Sequence, residues 1–186
     1  YVKQARSIDH ARNEVLANAL YEMAGVPVPD VTAGKGGQTL SSTIVDGAPF
    51  NVNNKAHVKA LNDNMVFDAW LQNWDVVGAT FDNVIVDDAG TVWRIDAGGA
   101  LEWRAMGKPK GEAFGPNVTE LDSLKKASIA GKAFKQISDA EMKEQGERLA
   151  AITPDNIRTA AMQVGKPELG EMLVKRRQSI LDQLEI

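Results

Sequence analysis

At 186 residues, 44% hydrophobic and 25% charged, the chain is long enough for one domain with a sizeable core and needs no covalent staples. It has no cysteine and only two histidines, His10 and His57, which excludes disulfides, thiolate–zinc sites and thiol catalysis and leaves little for a histidine metal centre or a Ser-His-Asp triad. The net charge of −4 speaks against nucleic acid or an anionic membrane as main partner, and no apolar run nears the ~20 residues that span a bilayer.

The opening YVKQARSIDHAR is polar and basic, without a signal-peptide pattern. Tyr1-Val2-Lys3 reads as the end of a strand, so a further segment is expected upstream. From Asp9 to Ala24 the spacing predicts a helix whose apolar face carries Val15, Leu16, Ala19, Leu20 and Met23. Gly25 stops it, and Val26-Pro27-Val28-Pro29 forces an extended exit. AGKGGQ (33–38) reads as a turn; its Gly-Lys-Gly-Gly lacks the spacing of a phosphate-binding P-loop. Thr39–Val45 has strand character, and DGAP (46–49) breaks it. The stretch 46–56 is the candidate boundary between a small N-terminal part, 1–50, and a larger C-terminal one, 51–186.

A strong helix is predicted from about Lys55 to Trp74, with Val58, Leu61, Met65, Val66, Ala69, Trp70 and Trp74 on one face and the two tryptophans as core anchors. Beyond residue 97, GGALEWRAMGKPKGEAFGPN reads as a long irregular segment, of the kind that is usually functional or disordered. Its Lys108 and Lys110 suit an acidic or phosphorylated partner, or simple solvation. The remainder is helical. Ser138 and Glu141 form a capping-box signature, Thr153-Pro154 starts a helix that ends at Gly165, and Pro167 opens the last one.

Between these lies FDNVIVDDAGTVWRID (81–96), two short apolar runs around an evident turn. With Asp88-Ala89-Gly90-Thr91 as a four-residue loop, Asp87 faces Val92 and Asn83 faces Asp96. Opposed side chains share a face with Cβ atoms roughly 5 Å apart, so the amide and carboxylate would offer hard oxygen ligands for Mg²⁺. A slip of one residue would separate them. Asp75, at the end of the long helix, adds a third polar group, and the order Asp, Asn, hairpin, Asp contains the parts that phosphoryl transfer uses.

WLQNWDVVGATFDNVIVDDAGTVWRIDAGGAL resembles the catalytic core of the atypical protein-kinase-like superfamily, which includes HipA-like, phosphatidylinositol-kinase-like and actin-fragmin-kinase-like domains. It is most similar to kinase-like segments of phage head-morphogenesis polyproteins. The resemblance implies an α+β protein-kinase-like fold, with a reduced N-lobe of strand, helix and strands and a mainly helical C-lobe carrying a catalytic β-hairpin. It implies Asp75 as catalytic aspartate, Asn83 and Asp96 as metal ligands, and Lys3 with its helix partner Glu14 as the nucleotide-gripping pair. The implied cofactors are ATP and Mg²⁺, and the implied partners are a nucleotide, a hydroxyl acceptor such as a protein, and a phage or host protein.

On a helical wheel Glu14 lies away from the apolar face, which suits either solvent or a polar cleft. Three departures are visible. Asp75 and Asn83 stand eight residues apart, a longer loop than in common kinases; Ala-Gly-Gly follows Asp96; and the superfamily's glycine-rich hairpin is not among these residues. The expected activity is phosphotransfer from ATP. A catalytically inactive binding module of the same fold, or a structural component of a phage particle, is the alternative. The expected location is cytoplasmic or virion-associated.

Overall fold

A computed structural model describes all residues, Tyr1–Ile186. The fold is α+β, with two small three-stranded antiparallel sheets and eight helices, and its C-terminal half is mostly helical. No helix is long and apolar enough to cross a membrane.

The first sheet holds β1 (Val2–Gln4), β2 (Val31–Ala33) and β3 (Thr39–Ser42) in the order β1-β3-β2. Lys3 pairs with Leu40 across it. Its own hydrophobic cluster is only Ala5, Ala11 and Leu40. Three residues cannot stabilise a sheet by themselves, so it leans on α1 (Ile8–Met23). Ser7 caps α1 by accepting from the His10 N–H at 3.0 Å. The buried face of α1 is turned from the expected one: Leu16, Ala17, Leu20 and Tyr21 enter the main core, while Val15 and Ala19 are half-buried and Met23 is exposed. That turn brings His10, Asn13 and Glu14 inward as well.

The second sheet contains β4 (Ala48–Pro49), β5 (Val84–Val86) and β6 (Val92–Arg94), in that order. Part of the stretch read as a boundary is therefore an edge strand paired with the hairpin. The expected single helix over 55–74 is two, α2 (Lys55–Asn62) and α3 (Met65–Trp70). Asn62-Asp63-Asn64 breaks it, and Asn64 leaves helical geometry at φ −132°. Asparagine and aspartate side chains compete for backbone hydrogen bonds, which suits them to helix ends. Of the two expected anchors, Trp70 is fully buried and donates from Nε1 to the Leu173 carbonyl at 3.0 Å, whereas Trp74 stays 39% exposed.

The C-terminal half packs α4 (Glu120–Lys126), α5 (Gly131–Phe134), α6 (Asp139–Ala150), α7 (Pro154–Gln163) and α8 (Pro167–Leu184) around α3. The Ser138–Glu141 capping box closes α6, and Thr153 caps α7 with Pro154 in its first turn. One core of 38 residues joins α1, α3, the hairpin and these helices. The C-terminal helices thus share one core with both α1 and the hairpin.

Candidate active site

Asp75 follows α3 on a loop that is tied from several sides. Gln72 sits at a left-handed φ of 48° and donates from Nε2 to Glu120 and to the Ala113 carbonyl, both at 2.8 Å. Asn73 donates to the Tyr21 hydroxyl at 3.0 Å. Leu71 accepts from the Leu101 N–H at 2.7 Å. Asn83 then reaches back to Asp75, its Nδ2 donating to the Asp75 carbonyl at 2.8 Å and to Oδ2 at 3.0 Å. Burial pushes the Asp75 carboxyl above the usual range; Asn83 opposes this, while Asp96 and Asp82 add to it.

The hairpin register differs by one from the expected one. Val84 pairs with Arg94 and Val86 with Val92, so Asn83 stands opposite Ile95, whose N–H donates to the Asn83 carbonyl at 3.0 Å. Gly90 is the cause. At φ +82° it closes a three-residue loop in which Asp87 N–H donates to the Thr91 carbonyl at 3.0 Å, a G1-bulge geometry that a four-residue reading misses. Alternation alone would then send Asp96 to the opposite face from Asn83. The strand ends first, however, and both side chains line the same cleft. Asp96 Oδ1 accepts from the Gly98 N–H at 2.9 Å and from Lys3 Nζ at 3.1 Å.

Lys3 also meets Glu14 Oε1 at 2.7 Å. One ammonium therefore serves two carboxylates. Burial pulls the Lys3 pKa down, but Glu14 and Asp96 outweigh it and hold it above the ordinary lysine value. Glu14 fares differently: burial pushes it up, and Lys3 offsets this only in part, with Asp96 repelling. Of the two placements open to Glu14, the structure has the polar cleft, at 3% exposure. The glycines after Asp96 permit this crowding. A Cβ on Gly98 would lie 3.1 Å from Asp96 Oδ1 and 3.2 Å from Glu14 Oε2, and one on Gly99 would lie 3.0 Å from Asp75 Cβ.

The cleft has a volume of about 460 Å³ and runs between the two sheets, lined by Ser42–Val45 on one side and by Asn83, Ile85, Ile95 and Asp96 on the other. Asn83 spends its Nδ2 on Asp75, which leaves its amide oxygen for a cation. Asp96 has a 45% exposed side chain with Oδ2 unbonded. No three His, Cys, Asp or Glu side chains come close enough to hold a metal by themselves. The pair Asn83 and Asp96 fits a Mg²⁺ that takes most of its ligands from phosphate and water. Asn83 and Asp96 line the opening, and direct contacts tie Asp75 to Asn83 and, through Lys3, Glu14 to Asp96.

Other candidates are placed differently. Residues 34–37 form a turn between β2 and β3. Lys108 is exposed, but Lys110 is buried, donates to the Gln72 carbonyl and lies 4.9 Å from the Trp74 ring centre. Burial, with Arg176 nearby, lowers its pKa to about 7. Trp103 stacks on His10 with ring centres 5.2 Å apart.

Several supporting residues were not foreseen. Asn13 donates to the Ala100 carbonyl at 2.9 Å and accepts from the Glu102 N–H at 3.1 Å, and His10 Nε2 meets the Gly98 carbonyl at 2.9 Å, so α1 holds the segment after Asp96 at three points. Asp68 and Arg94 form a fully buried bidentate pair at 2.7 and 2.6 Å, with Tyr21 donating to the same carboxylate at 2.8 Å. The signal was available: Arg94 shares the inward alternation of Val84, Val86 and Val92, and Asp68 interrupts an apolar helix. Gln72, Phe81 and Leu101, left-handed non-glycine residues, all lie in the segments that carry Asp75, Asn83 and Asp96. Such conformations cost about 1–3 kcal/mol and concentrate at functional sites.

Comparison with known proteins gives no match: none among family models, curated proteins or solved structures.

Proposed function

We propose that this chain is a kinase-like phosphotransferase that moves the γ-phosphoryl group of Mg·ATP to a hydroxyl acceptor. In this reading the first sheet and α1 form a reduced N-lobe and the helical half a C-lobe. The observation that carries it is the meeting of two constellations on one wall of the cleft. Lys3 bridges Glu14 and Asp96, and Asn83, which lines that wall with Asp96, is bonded to Asp75.

Each group has a task that its surroundings suit. Asp75 orients the acceptor hydroxyl and takes its proton; half-buried and facing two other acids, it holds a proton more readily than a free aspartate. Lys3, kept charged by two carboxylates, aligns phosphate oxygens. Asn83 Oδ1 and Asp96 Oδ2 would hold Mg²⁺, which neutralises charge on the phosphates when bound. The site has the electrostatics for it, since Glu14 and Asp96 share one ammonium while Asp75, which feels Asp96 and Asp82, has no cation of its own. Ile85 and Ile95 give one wall an apolar surface for a base, and the backbone of Ser42–Val45 gives the other polar edges. A volume of about 460 Å³ is within the range of ligand pockets.

The test is transfer of label from γ-labelled ATP in Mg²⁺ buffer to hydroxyl-bearing acceptors and to the protein itself. Wild type should transfer, and Asp75→Ala should fall ~10²–10⁴-fold, the range of a lost general base. Equal transfer by wild type and Asp96→Ala would end the metal-site assignment. Stabilisation by Mg·ATP without any transfer would favour the alternative, an inactive module that binds nucleotide for protein contacts.

A further inference from the structure

We infer that the arm Glu102–Lys110 docks an acidic polypeptide segment, the one that would carry the acceptor hydroxyl; this rests on the phosphotransferase reading. The arm doubles back on itself. Lys110 N–H donates to the Glu102 carbonyl at 2.7 Å, Trp103 bridges Pro109, and at the tip Arg104 N–H donates to the Lys108 carbonyl at 2.7 Å and Gly107 N–H to the Arg104 carbonyl at 2.8 Å. It rises beside the proposed catalytic carboxylate. A Cβ built on Gly99 would meet Asp75 Cβ at 3.0 Å and the Ala105 nitrogen at 3.4 Å, so one backbone position touches both.

The tip is basic in a chain of net charge −4. Arg104 and Lys108 are exposed on it, and exposed Arg6 lies against it, close enough that a Cβ on Gly107 would sit 2.2 Å from Arg6 Cγ. None of the three is ion-paired. Asp9 and Glu102, at the base of the arm, are turned to Lys166, each at 2.7 Å, and neither pairs with the three basic side chains. Arg104 is also held, its guanidinium 5.2 Å from the centre of the Trp74 ring, next in sequence to Asp75. A fixed fork of positive charge beside a phosphoryl-transfer carboxylate selects an acceptor by the acids that flank its hydroxyl. The partner is a polypeptide and not a bilayer, because Met106 is the single large apolar side chain exposed at the tip, too little for insertion.

The experiment measures fluorescence anisotropy of two labelled serine peptides, one flanked by glutamates and one by lysines, against the intact chain at low salt. The glutamate peptide should bind about tenfold more tightly, and the combined variant Arg6→Ala, Arg104→Ala, Lys108→Ala should lose that preference while melting like wild type. The single reversal Lys108→Glu should weaken it in the same direction. Equal affinity for the two peptides, a preference that survives in the combined variant, or tighter binding to phosphatidylserine vesicles than to the acidic peptide would each overturn the assignment. Offering the same peptides labelled ATP separates the two readings. Preference in binding with no transfer anywhere removes the phosphotransferase and leaves the docking arm, whereas transfer without preference does the reverse.

Discussion

In the core, Asp68 and Arg94 match one carboxylate to one guanidinium with no exposed surface, and Glu120 and Arg176 do the same under the Asp75 loop. Arg176 is bonded at all three nitrogens, to Glu120 and to the carbonyls of Trp70, Ala69 and Gly115. Arg94 leaves only Nη1 without a partner. In the cleft, by contrast, Lys3 faces both Glu14 and Asp96 and opens to solvent. The core pairs are balanced and closed, as structural pairs must be to repay desolvation. The cleft cluster is short of positive charge and open on the side where a cation and phosphates would enter. In the proposed function, that deficit is what a bound cation would fill.

The sharpest way to break this contrast is Arg94→Met. It strands Asp68 in the core and should lower unfolding free energy by ~3–5 kcal/mol in urea. A loss below about 1 kcal/mol would mean that the pair is not structural. The cleft should respond to ligand instead. Mg·ATP at a hundredfold excess over its Kd should stabilise wild type by ~2.7 kcal/mol, read from the shift in thermal midpoint, and Asp96→Asn should lose most of that shift. Equal shifts in the two proteins would deny Asp96 its part.

Much of the fold was legible because helix ends announce themselves locally. Ser138 with Glu141, Thr153 with Pro154 and Pro167 each act within a turn, and the structure has a helix start at each. What failed was whatever depended on one residue of geometry or on a distant partner. Asn62-Asp63-Asn64 cut a pattern whose apolar spacing runs on, and Gly90 shortened a loop that composition leaves ambiguous. The approach of Asp75 to Asn83 spans a loop whose course no local rule fixes. The positions of Lys3 and Glu14 came from the resemblance; the wheel left Glu14 open, because burial by a second element is invisible to a single helix. Lys110 shows the same limit in reverse. A loop lysine reads as solvated until Trp74, Phe114 and Gln72 are seen to surround it.

Lys110 also gives a pH signature to a site that belongs to neither pair type, a buried cation without its own acid. Its folded pKa of about 7 lies below the ordinary value of 10.5. Across that window the unfolded chain holds a proton that the folded chain has released, so stability rises with pH there, by up to ~1.4 kcal/mol per unit. Lys110→Met should lack this rise. Urea unfolding of both proteins between neutral and alkaline pH, taken as a difference, isolates it from the other titrating groups. Parallel profiles would mean that Lys110 keeps its charge in the fold.

The smallest expected effect tests the contrast most closely. Glu14→Gln removes a 2.7 Å salt bridge, yet should change stability at neutral pH by less than ~1 kcal/mol. Lys3 keeps Asp96 and keeps water, so no charge is stranded. The glutamate itself is strained by burial: its folded pKa lies above the ordinary 4.5, so the folded state binds more protons than the unfolded one just above that value. Stability therefore falls as pH rises through this window, and the glutamine variant should lack this share of the fall, read as the difference between the two profiles. Transfer from labelled ATP should nonetheless drop, because Lys3 loses the group that aims it. If Glu14→Gln instead cost as much as Arg94→Met, the cleft cluster would be one more closed structural pair, and its charge deficit would carry no implication of a bound cation.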